Sequence, residues 1–302
     1  WNLCNNHIMD AGQDGLAMTL QEAEKFGAKT IGVGMNMTDA AKPLILDEAG
    51  GIGIFAVGYQ RGCKPAGEDK GGCLSWSEME VIRSVIQEIK AKCRWCVVVA
   101  HGGEEFTAIP SPYTRERYHA YLEMGADLVV CHHPHVPMNY ETVGDKMIFY
   151  SLGNFIFDTD YQRAQFNTEK GILLKLHFTE TKYSFEALGL KINRENEHIE
   201  TAPLPKIFAD IQEDDYNKLE PLAAKMFLAA TKRQQLFLYP DKFKNATEEQ
   251  WKAHFYEEKR SGRVPGEALD FQIIYPIAQE EAKGVWKECK LEAVKAYILE
   301  QM

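Results

Sequence analysis

Short, continuous apolar runs punctuate the first half of the chain, and each ends in a polar cluster. Trp95–Ala100, Leu128–Cys131 and Met147–Tyr150 are too short for helices and show no polar alternation, so they predict strands buried on both faces. Lys29–Val33 and Ile52–Val57 read the same way, and Leu3–Asn6 reads as the end of a strand. Amphipathic segments lie between these runs. Leu16, Leu20 and Ala23 place a helix over about Asp14–Phe26, stopped by Gly27, and a short helix is expected near Thr38–Ala41. Ser77-x-x-Glu80 has the capping-box pattern and opens a helix carrying Ile82, Val85, Ile86 and Ile89. A further helix over roughly Thr114–Met124 closes on Gly125. The Gly-rich, charged stretch Arg61–Gly72 predicts a surface loop.

After Asp158 the period changes. Ile172, Leu174, Leu176 and Phe178 alternate, as do Leu188, Leu190 and Ile192, with a polar turn at Thr179–Lys182, which predicts antiparallel strands with one face buried. Beyond Lys206 the spacing of Leu219, Leu222 and Met226 turns helical, and a Lys/Glu-rich tail over Ala278–Met302 predicts more helix. The expected organisation is therefore an α/β domain over 1–205 and a mainly helical extension over 206–302, with a soft boundary at Thr201–Pro205.

Composition narrows the class. The 302 residues are 45 % hydrophobic and 26 % charged, ordinary for a globular protein, with a formal net charge of −10. No basic stripe interleaved with aromatics is present, which argues against nucleic acid as a partner. No apolar run approaches the ~20 residues that span a bilayer. The chain opens on Trp1 as if inside a strand, so its true N-terminus is expected to be missing or to have been removed. Seven cysteines, an odd number in no framework spacing, favour a reducing compartment. Cys93-x-x-Cys96 follows a helix instead of opening one, the wrong polarity for a redox site. Zinc would need a second pair, for which Cys63 and Cys73 are the nearest candidates, so packing is the expected role of the thiols.

The chemistry concentrates where strands end. His101-Gly102-Gly103-Glu104-Glu105, His132-His133-Pro134-His135 and Ser151-Leu152-Gly153-Asn154-Phe155 each follow a predicted strand, and Asn5-Asn6-His7 follows another. Open α/β sheets bind ligands at those carboxyl ends. Imidazole with carboxamide and carboxylate groups suits Zn, Mn or Fe, and His133 and His135, two residues apart on a Pro-stiffened loop, suit adjacent ions. Glu104 and Glu105 are candidates for acid–base work. His132 is expected to pack or support a ligand, and His119, His177, His198 and His254 to be structural. Ser151 is not in a nucleophile elbow, since G-x-S-x-G is absent, while Asn154 is placed to hydrogen-bond a ligand. No dinucleotide or Walker loop is present.

Asn5-Asn6-His7 with Asp10-x-Gly12, His101-Gly102-Gly103-Glu104-Glu105, Gly125-Ala126-Asp127-Leu128-Val129, His133-Pro134-His135 and Tyr150-Ser151-Leu152-Gly153-Asn154-Phe155 occur in consistent order. Together they resemble the bacterial capsule-synthesis (CapA, poly-γ-glutamate synthesis) family, a branch of the calcineurin-like metallophosphatases. The resemblance covers about Leu3–Asp158. It implies an α-β-β-α sandwich, two central sheets flanked by helices, with one or two divalent ions (Zn, Mn or Fe) at the strand ends. It further implies Asn6, His101 and His133 as ligands of one metal and His135 of the other. His7 would be the general acid and Glu105 a catalytic carboxylate, with Asn154 and Ser151 contacting substrate. This chain has Gly102 where the family has Trp and Cys131 where it has Gly, and the family's Gly-Asp carboxylates are expected upstream of Trp1, outside these 302 residues, so either the chain is truncated or it holds at most one metal well. The expected activity is metal-dependent hydrolysis in poly-γ-glutamate or capsular-polymer metabolism. The alternatives are a phosphoesterase unrelated to capsule and a non-catalytic assembly or polymer-binding subunit. Expected partners are an anionic polymer or phosphorylated small molecule and capsule synthase subunits. The resemblance points to the cell envelope, the cysteine usage to the cytoplasm.

Overall fold

The protein is described by a computed structural model over residues 1–59, 62–233, 243, 245–260, 271, 272, 275, 276 and 279. The helical tail expected over Ala278–Met302 lies, residue 279 apart, outside these. In chain order the elements are α1 (Gly12–Lys25), β1 (Val33–Gly34), α2 (Met37–Ala40), β2 (Leu44–Leu46), β3 (Ile52–Gly58), β4 (Gly72–Cys73), α3 (Met79–Lys92) and β5 (Trp95–His101). They continue with α4 (Pro112–Met124), β6 (Leu128–His132), β7 (Tyr140–Val143), β8 (Lys146–Phe149), α5 (Asp160–Arg163), β9 (Lys170–Phe178), β10 (Tyr183–Asn193), β11 (His198–Ala202), α6 (Glu213–Arg233) and α7 (Glu248–Arg260).

A six-stranded sheet runs in the order β2-β3-β5-β6-β8-β7, parallel from β3 to β8 and antiparallel at both edges. Its central strands are buried on both faces, as continuous apolar runs require. Cys96, Val98, Ala100, Val129 and Cys131 face α3 and α4, packing with Ile82, Ile86 and Tyr121. The alternate residues Trp95, Val97, Leu128 and Val130 face the other way, onto Ile172, Leu174 and Phe185 of the antiparallel β9-β10-β11 sheet. The result is a mixed α/β sandwich of the metallophosphatase-like kind. Each fully buried Val, Leu or Ile contributes roughly 1.5–3 kcal/mol to holding these layers together.

Local signals explain most element ends. Ser111 caps α4, its hydroxyl accepting the Thr114 N–H at 3.1 Å, Pro112 stands in the first turn, and Gly125 closes the helix at φ 119°. The capping box expected at Ser77 does not form. The Ser77 hydroxyl lies 2.8 Å from that of Ser75, and α3 starts without a side-chain cap, because the Trp76 N–H donates to the Gly58 carbonyl and holds this entry segment against the sheet. The segment read as a strand over Lys29–Val33 pairs only at Val33–Gly34 with β4 and through one bridge from Ile31 to Asn2. The stretch 61–72 is not simply a surface loop, since Cys63 and Ala66 are buried in it.

The residues beyond Pro205 pack on the same body. Ala223 and Met226 of α6 meet Ile109 and Ile207, and Trp251 and Phe255 of α7 join the core beneath α3 and α4. Between α4 and β7, Glu141 is buried and accepts two hydrogen bonds from Arg115 (3.0 and 2.6 Å) and one from Tyr150 (2.5 Å), with His119 Nε2 3.1 Å away. His119 thus belongs to a structural network.

Candidate metal centre

Parallel register brings the chemistry together. Gly58 is opposite His101, and His101 opposite His132, so β3, β5 and β6 deliver their carboxyl ends side by side. His101 is the last residue of β5, and its Nε2 donates to Asn6 Oδ1 at 3.0 Å. The Asn6 amide in turn donates to His7 Nε2 at 3.3 Å, and His7 Nδ1 donates to Asp10 Oδ2 at 2.8 Å. This chain of bonds sets the tautomers: the proton of His101 is on Nε2 and that of His7 on Nδ1.

His133 lies at the centre. Its side chain is fully buried, stacked on Tyr59 with ring centroids 4.5 Å apart, 4.9 Å from the His101 ring and 5.7 Å from that of His135. Neither of its ring nitrogens has a hydrogen-bond partner, and the nearest carboxylate oxygen, on Glu105, is 3.9 Å from Nε2. Its backbone sits at φ 113°, and His135 at φ 63°. Non-glycine residues held there cost of order 1–3 kcal/mol, and such strain concentrates at functional sites.

His135 is oriented from behind. Asn154 donates its amide to Gln162 Oε1 (3.2 Å) and the Thr168 carbonyl (3.0 Å), which leaves its Oδ1 to accept from His135 Nδ1 at 2.8 Å. The lone pair of His135 is then on Nε2. Phe106 and Phe157 stack on the ring at 5.7 and 5.1 Å. Donor atoms of Glu105, His133 and His135 all lie within 4.8 Å of one another.

Burial, reinforced by the neighbouring imidazoles, pushes the pKa of His101 down to about 3 and that of His133 well below the usual histidine value. His135 is lowered by burial as well. All three are neutral imidazoles near pH 7, the form that offers a lone pair to a cation. Nitrogen donors mixed with carboxamide and carboxylate oxygens fit a borderline divalent ion. The orphaned nitrogens of His133 are the strongest sign of that fit, since buried polar groups ordinarily find partners.

Of the residues named from sequence, Asn6, His7, His101, Glu105, His133 and His135 converge here. Ser151 does not join them: it is buried, and its hydroxyl accepts the Gly153 N–H at 3.2 Å within the turn. Glu104 points away from the cluster and receives the Thr114 hydroxyl at 3.2 Å, burial pushing its carboxyl up to about 7. Asp10 and Tyr59 had no assigned role in the sequence reading. The three-residue spacing from His7 was the available signal for Asp10, whereas nothing local marked Tyr59. Truncating Asn154 to alanine should lower metal affinity roughly 10–100-fold, the usual penalty for removing a partner that orients a ligand. Metal titration checks this, with Asn154→Asp, which keeps the acceptor, expected to lie near wild type.

Comparison with known proteins locates these motifs. The profile of the bacterial capsule synthesis protein PGA_cap matches residues 1–159. The chain is 34 % identical over 168 residues to the PGA biosynthesis protein CapA of Bacillus subtilis, covering 54 % of this chain and 44 % of that protein. It is 30 % identical over 170 residues to the capsule biosynthesis protein CapA of Bacillus anthracis, covering 54 % and 41 %. A Mycobacterium tuberculosis protein described as a probable polyglutamine synthesis accessory protein is 24 % identical over 177 residues, covering 52 % and 44 %. The chain thus spans less than half the length of each of these relatives. Among the described residues, no helix is long and apolar enough to cross a membrane.

Proposed function

This chain belongs to the family of bacterial capsule synthesis proteins, and from that premise we propose that its strand ends form a divalent-metal hydrolytic site acting in poly-γ-glutamate or capsular-polymer metabolism. The observation that carries this reading is His133, a buried imidazole with two unpartnered nitrogens set between two groups of donors. Asn6, His101 and His133 would hold one ion, and His135 with Glu105 would hold a second beside it. When bound, such an ion polarises the oxygen of the scissile phosphoryl or carbonyl group and makes water acidic enough to attack near neutral pH.

The remaining work falls to the chain's own side chains. His7 is exposed, so a leaving group reaches it from solvent, and its Nε2 faces the cluster through Asn6. Asp10 fixes its Nδ1 proton and balances the imidazolium formed when Nε2 also carries one, which lets Nε2 protonate the departing oxygen or nitrogen. Asn154 keeps His135 turned inward, and Phe106 and Phe157 limit water around it. Replacing Asp10 by asparagine should therefore lower kcat by about 10-fold or more while KM and metal content stay at wild-type values. Loss of metal together with activity would make Asp10 a structural residue instead.

Metal content per chain, followed by hydrolysis of an aryl phosphate and of poly-γ-glutamate, tests the function. Metal with polymer cleavage supports it. Metal with aryl phosphate turnover alone points to a phosphoesterase outside capsule metabolism. Metal with neither leaves a polymer-binding subunit, and a metal-free protein that takes up no Zn, Mn or Fe overturns the reading.

A further inference from the structure

Three cysteines from separate segments meet directly behind the histidine cluster. Cys4 precedes Asn5-Asn6-His7, Cys63 lies beyond β3, and Cys73 ends β4. Their sulfurs all lie within 4.8 Å of one another, and the three residues are 1 %, 0 % and 0 % exposed. We propose that Cys4, Cys63 and Cys73 form a second metal site of different chemistry from the first, a three-sulfur pocket for a thiophilic cation of the Cu(I) class.

The backbone is shaped around these sulfurs. A Cβ on Gly58 would fall 2.6 Å from Cys63 Sγ and 2.9 Å from Cys4 Sγ, so only glycine leaves room for both. A Cβ on Gly32 would fall 2.6 Å from the Cys4 Cβ. Neighbouring bonds then hold two of the three thiol-bearing segments in place. The Cys73 N–H donates to the Lys64 carbonyl, the Ala66 N–H donates to the Cys73 carbonyl, and the Cys63 N–H donates to the Tyr59 carbonyl. The Cys63 and Cys73 thiols donate weakly to the His101 and Asn5 carbonyls, at 3.8 and 3.7 Å.

Softness separates this pocket from the histidine site. Thiolates select Cu(I) and zinc, whereas the neighbouring cluster offers only nitrogen and oxygen. Zinc favours four ligands, and no His, Asp or Glu among the described residues joins the three sulfurs. Three sulfur ligands suffice for Cu(I). Leu16, Ile31, Val33 and Ala56 wall the pocket and keep out water. Buried cysteine commonly packs as a small hydrophobe, but packing does not require sulfur at three points that touch. A disulfide would use two of the thiols and strand the third. Binding is balanced by release of thiol protons to solvent, with no change in oxidation state.

The test is anaerobic transfer of Cu(I) to the full chain from its coloured bathocuproine disulfonate complex, read as loss of colour. One equivalent is expected in wild type and in both His133→Ala and Cys93→Ser, and none of it in Cys73→Ser or Cys63→Ala. The His133 control also keeps this result distinct from failure of the hydrolytic reading. X-ray absorption of the copper-loaded wild type, which needs no variant to fold, should show a shell of three sulfurs without nitrogen. No transfer to wild type, transfer undiminished in Cys73→Ser, a nitrogen-containing shell, or a Cys63–Cys73 or Cys4–Cys73 disulfide in the freshly purified protein would each overturn the proposal.

Discussion

Replacing His133 by alanine is expected to reduce metal affinity by more than about 100-fold, because even the outer partners of metal ligands are worth 10–100-fold. The metal-free variant should nonetheless be about as stable as wild type. Wild type leaves a buried imidazole without hydrogen bonds, at roughly 1–3 kcal/mol. The variant escapes that penalty but loses the stacking of His133 on Tyr59, worth roughly 0.5–1.5 kcal/mol, and opens a small cavity. These opposing effects nearly cancel. The difference should emerge only with metal present. At a free concentration about 100 times Kd, a bound ion adds about 2.7 kcal/mol to the wild type. Thermal unfolding with and without Zn or Mn reads this directly: a metal-dependent rise in wild type, none in His133→Ala. An equal rise in both would remove His133 from the ligand set and the proposed centre with it.

The largest stability loss is expected far from that centre, at Glu141. Changing it to leucine keeps the volume near its original value but leaves the partly buried Arg115 guanidinium without its carboxylate, and breaking such a pair from one side costs up to about 3–5 kcal/mol. Total stabilities are commonly about 5–15 kcal/mol, so the variant should be marginal at physiological temperature. The same group predicts a pH dependence. Burial alone would raise the Glu141 carboxyl, but the His119 imidazole 3.1 Å away and the hydrogen bonds from Arg115 and Tyr150 outweigh it and hold the pKa at about 2, against an ordinary 4.5. A carboxylate depressed in the folded state contributes stability that is full above its unfolded pKa and lost as pH falls through the folded one. The loss should therefore run from about pH 4.5 down towards 2, and Glu141→Leu should flatten that part of the curve. Denaturant unfolding at stepped pH is the measurement. A wild-type curve that is flat there, or a variant as stable as wild type, would show that the network contributes little.

Much of the fold is legible in the sequence. The runs Trp95–Ala100 and Leu128–Cys131 identify central strands because only a strand buried on both faces tolerates unbroken apolar residues. Gly125 marks the end of α4 because a left-handed C-terminal glycine is local chemistry, whereas the start two residues earlier than expected, at Pro112 behind the Ser111 cap, went unread. The position of His101 and His133 at strand ends follows from the same periodicity, whereas the strand expected over Leu3–Asn6 reduces to one bridge at Asn2 and leaves Asn6 in a turn. Misreadings occurred where a neighbour elsewhere in the chain decided the outcome. Ser77 had the right spacing for a cap, yet the Gly58 carbonyl holds Trp76 and the helix starts without it.

The sequence by itself determined the central strands with the helices between them, their buried faces and the roster of imidazole and carboxamide groups, because periodicity and capping act over a few residues. Tertiary structure alone decided which of those groups meet. Parallel register sets His101 beside His132, φ 113° turns His133 inwards without partners, and Asn154 chooses the nitrogen His135 presents. Cys4, Cys63 and Cys73, scattered over some seventy positions with no motif spacing, become neighbours only because β3 ends in a glycine small enough for their sulfurs to close over it. Contacts of that kind depend on distances between segments far apart in the chain, and no local pattern encodes them.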